Sequence, residues 1–185
     1  MNTVPSTFQS TDELDVSKLP DKLSDLLRLA LADLKACEED PNYGVSMYLW
    51  HARPTADNIG FDSSRCHVCL AGAVLAKTLH LDPGVTIPTL NADAHKTSRL
   101  YAAMVALDRL RTGHVRSAAL IWREHVRNST PDKLDALLEA PTPAEVEAQL
   151  EGLGERVYVA PYGSDARRFH EDMLFVLEVL EKQGL

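Results

Sequence analysis

Two cysteines three residues apart, Cys66 and Cys69, are the most conspicuous spacing in this 185-residue chain that could carry chemistry. They open its least polar stretch, Cys66–Leu81, whose centre from Val68 to Ala76 has no charged side chain. A Cys-x-x-Cys admits three readings. The thiols can be small core residues that simply pack. They can be half of a metal site, since a structural zinc takes four ligands; no second Cys-x-x-Cys exists, so Cys37, His51, His67 and His80 are the candidates to complete the set. Or one thiol can be a nucleophile, because a helix N-terminus lowers a cysteine's pKa; His51 would then be the base. A thioredoxin-like site wants the motif directly after a strand, whereas a loop, Ala52–Ser64, precedes it here. A papain-like or cell-wall-hydrolase site wants a histidine on a following strand, and His95, His114, His125 and His170 all fall in helical patterns. The Gly-rich phosphate loop, the His-Glu-x-x-His motif and the nucleophile elbow are missing from the sequence. Structural cysteines are the simplest account.

Composition narrows the class. Hydrophobic content of 45% and charged content of 25% suit a globular protein. No apolar run approaches the roughly 20 residues that span a bilayer. The first residues carry no basic and apolar secretory pattern, and three cysteines are an odd number for a disulfide framework. The cytoplasm is the expected compartment. A net charge of −8 disfavours general binding to nucleic acid or to membranes. The charge is segregated, however. Lys96–Arg127 holds seven basic and two acidic residues, net +5, and Pro131–Glu155 holds seven acidic and one basic, net −6. These are most simply two halves that complement each other within one fold. The sharper reading makes them binding patches: Arg109, Arg111, Arg116 and Arg123 on the basic side, Glu139, Glu145, Glu147 and Glu151 on the acidic side.

The elements that must position these residues follow from periodicity. Leu23, Leu26, Leu27, Ala30, Leu34 and Cys37 predict a helix from Pro20 to Glu39. Val45–His51 reads as a strand. A central helix over about 64–80 is capped by Ser63 or Ser64 and carries Cys66 and Cys69 on one face, with Gly72 admitting a close neighbour. Helices follow over about 92–112 and 114–127, then from Pro131 to Leu138 and from Thr142 to Gly152. Arg156–Ala160 reads as a strand that pairs with 45–51, and Ser164 caps a last helix with Phe169, Met173, Val176, Leu177 and Leu180 inward. The expected fold is a mainly α-helical α+β domain, residues 17–185. It has six or seven helices around the central one, a two-stranded antiparallel sheet (45–51 with 156–160), and residues 1–16 as a flexible tail.

The segment CHVCLAGAVLA after Trp50-His51, the helix LYAAMVALDRLRTG and the C-terminal helix ending in Gly-Leu resemble a group of small phage and prophage proteins. The resemblance implies no fold, activity or ligand that transfers. It favours an accessory protein that binds a host component. The leading expectation is therefore a non-enzymatic binding or regulatory protein acting by protein contacts, with an unknown protein partner, no cofactor, and a homo-oligomer left open. The rivals are a thiol-dependent enzyme centred on Cys66 or Cys69 with His51, and a small zinc-stabilised domain using Cys66, Cys69, His51 and Cys37.

Overall fold

The computed structural model describes residues 14–54, 60–87, 99–129 and 157–185, and the structural statements here concern those residues. Helix α1, Leu23–Glu39, buries Leu23, Leu26, Leu27, Ala30, Leu34 and Cys37 on one face, as their spacing predicts. It begins three residues after Pro20, because the preceding backbone is used elsewhere. The Trp122 indole donates to the Asp21 carbonyl at 2.6 Å, and Arg99 donates to the Leu19 carbonyl and the Asp21 carboxylate, each at 2.7 Å. Leu14 and Leu19 are buried in this strap. Of the expected tail, residues 1–13 lie outside the described residues.

The sheet differs from the expected pair. Strands β1 (Tyr43–Val45), β2 (His51–Ala52) and β3 (Cys66–Val68) form one mixed sheet with β3 in the middle. β3 runs parallel to β1, with Gly44 opposite His67, and antiparallel to β2, with His51 opposite Val68. Val45–His51 is not one strand, since a turn at Ser46–Leu49 breaks it and pushes Tyr48 into solvent, 84% exposed. Nor does Val157–Ala160 pair with it. Val157 N–H donates to the Gly113 carbonyl at 2.8 Å and Ala160 N–H to the Asp172 carboxylate at 2.7 Å, so these two amides are satisfied outside a ladder.

The central helix is shorter than its apolar run. Helix α2 is Leu70–Ala76, with Cys69 as N-cap in place of Ser63 or Ser64. Cys66–Val68 goes into β3 instead, because Asn42 and Ser46 on either side of β1 supply ladder partners for its backbone. A short apolar run is compatible with strand or helix, and the neighbours decide. Every residue of α2 is buried. Gly72 meets the close approach its position suggests, but from a loop: the carbonyl of Trp50 occupies the space a Cβ would need.

Helices α3 (Arg99–Arg111) and α4 (Val115–Ser129) form a hairpin whose turn has Gly113 at φ +80°. A Cβ there would also overlap the Val157 carbonyl. Helix α5, Ala166–Lys182, is capped by Asp165, one residue past the expected Ser164; its carboxylate accepts from Arg168 N–H at 3.0 Å. Phe169, Met173, Val176 and Leu180 face the core. The two helices expected between Pro131 and Gly152 lie outside the described residues. Among those described are five α-helices and one small mixed sheet, a mainly helical α+β fold. None of these helices is long and apolar enough to cross a membrane.

Because both glycines meet backbone atoms, which cannot rotate away, Gly72→Ala and Gly113→Ala should each cost about 2–4 kcal/mol. Urea unfolding with an unchanged slope against denaturant measures this. A loss below about 0.5 kcal/mol would show that the two carbonyls yield freely.

Candidate functional site

Strand alternation sorts the candidate residues onto two faces of the sheet. Cys66 and Val68 of β3, Tyr43 of β1 and His51 of β2 share the inner face, against the core. His67 takes the outer face, between Gly44 and Ala52. His51 and Cys66 are thus brought together from a separation of fifteen residues, with Sγ 3.6 Å from Nδ1 and 3.7 Å from Nε2. Near-equal distances mean that the sulfur lies along neither nitrogen's lone-pair direction. Nδ1 instead engages the Val85 carbonyl at 2.8 Å, which favours the tautomer with its proton there, donating to that oxygen.

The electrostatics oppose a thiolate–imidazolium pair. Both side chains are fully buried. Burial pushes the Cys66 thiol up to about 11, against a weaker pull from Arg53, and holds the His51 imidazole below its usual range despite its backbone hydrogen bond to Val85. Each is therefore neutral near pH 7. Cys69 is also fully buried, and burial raises its pKa against the opposing backbone amides of Gly72 and Ala71. Cys37 on α1 is pushed up to about 12 by burial. All three cysteines are free. The motif does not place two thiols on one helix face; it divides them between a strand and a helix cap.

The other metal candidates point away from this cluster. His67 is 8% exposed, with its Nε2 3.0 Å from the Asp62 carbonyl and its ring edge-on to Phe61. Its Nδ1 has no hydrogen-bond partner among the described residues. Its Cε1 lies 2.8 Å from where a Cβ on Gly44 would stand. His80 is exposed just beyond α2, at φ +57°. Among the described residues, no three His, Cys, Asp or Glu side chains are arranged to hold a metal ion.

The basic candidates are spread over the α3–α4 hairpin. Arg109 is exposed, while Arg111 binds Asp108 on its own helix at 2.6 Å. Arg116 and Arg123, two turns apart on α4, are half-buried and engaged in contacts. Glu139, Glu145, Glu147 and Glu151 lie outside the described residues. Sequence reasoning passed over Leu174 and Phe175 on α5, which are 58% and 55% exposed. The signal was there by omission, since neither falls on the inward stripe of Phe169, Met173, Val176 and Leu180.

No protein-family model matches the chain, no curated protein is similar to it, and no solved structure matches it.

Two outcomes follow from the buried cluster. In the native protein, none of the three thiols should react with a disulfide reagent at pH 8, where a pKa of about 11 leaves about one Cys66 thiolate in a thousand; denaturant should release all three. Fast labelling of native Cys66 would contradict its closure. The second concerns His51. Its folded pKa lies below the unfolded value of about 6.5, so the unfolded chain takes up the proton first. Stability should therefore fall as pH drops below about 6.5, by up to about 1.4 kcal/mol per pH unit, until the folded imidazole protonates. His125, lowered by burial and Arg99, adds a loss of the same sign. His51→Gln should flatten this slope while leaving the His125 part, as measured by denaturant titrations across that pH range.

Proposed function

We propose that the protein is a non-enzymatic binding or regulatory protein, acting through protein contacts in the cytoplasm without a cofactor, an accessory factor of the phage and prophage type. The observation that carries this reading is the adjacent pair Leu174 and Phe175, both more than half exposed on α5. Isolated surface hydrophobics are ordinary, but large neighbours left in water on a well-packed helix suit a contact surface. Tyr158, 66% exposed, sits on the segment beside this helix, with Arg168 5.5 Å from its ring. Closure of the Cys66–His51 pair supports the same reading from the other side, and three free buried thiols suit a reducing compartment. The phage attribution rests on the sequence resemblance alone.

A thiol-dependent enzyme is the second reading, favoured by the meeting of His51 with Cys66. It requires the core to open before substrate could arrive. Cys66→Ser and Cys69→Ser variants that keep full biological activity would eliminate it.

The binding reading is tested by capture from a lysate of the source organism at low and high salt. The immobilised wild type should retain a discrete partner that Leu174→Glu/Phe175→Glu loses, with unchanged thermal unfolding of the variant. Absence of any partner at either salt concentration would defeat the reading.

A further inference from the structure

We draw no further inference here: the strongest candidate, the outer face of the sheet at His67, whose buried ring has its Nδ1 without a hydrogen-bond partner among the described residues, carries none because the ring itself fills the space over Gly44 and nothing in the structure shows what covers that face.

Discussion

The contact on which the rest of the structure depends is the carbonyl of Trp50 against the Cα of Gly72. It lets a loop backbone lie directly on a buried helix, where any side chain would hold the two apart. Trp50 is followed at once by β2, so this approach brings His51 into register with Val68 and seals the inner face of the sheet against α2. The meeting of His51 with Cys66 and its closure to solvent thus have one cause. A glycine inside a helix costs about 1 kcal/mol in propensity relative to alanine. Here that cost is offset by the packing of α2, whose every residue is buried.

A second set of contacts uses charge internally. Arg99 joins the strap before α1 to the α3–α4 hairpin through the Leu19 carbonyl, the Asp21 carboxylate and the Trp122 ring, 5.1 Å away. Arg111 is held by Asp108. Arg65 reaches the Pro41 carbonyl at 3.1 Å and also the Tyr43 carbonyl, tying the approach to β3 to that of β1. Part of the basic excess counted over Lys96–Arg127 is therefore used in holding the chain together. A linear count of charges records sign and position, but it does not register which guanidinium groups are already paired.

What was legible in the chain was whatever a single helix decides for itself. The α1 stripe, the inward face of α5 and the break at Gly113 all follow from local spacing and backbone freedom, and each lies where the residues indicate. What failed depended on neighbours distant in sequence. Three residues of strand hold too little of a period to be told from helix, so Cys66–Val68 was absorbed into the apolar run behind it. Val157–Ala160 has strand composition, but two of its amides find Gly113 and Asp172. Of the candidate site, the pairing of His51 with Cys66 was anticipated. Its burial was not, because exposure is a property of the assembled layers. Leu174 and Phe175 look like ordinary apolar residues until the inward face of α5 is full.

The outer face of the sheet has a consequence for how the chain can change. The His67 ring lies over Gly44, filling the place where a side chain would be. The two positions, twenty-three apart in sequence, share one volume that only one of them can fill. A side chain at position 44 therefore obliges the imidazole at position 67 to shift, which ties the packing of β1 to that of β3 on this face.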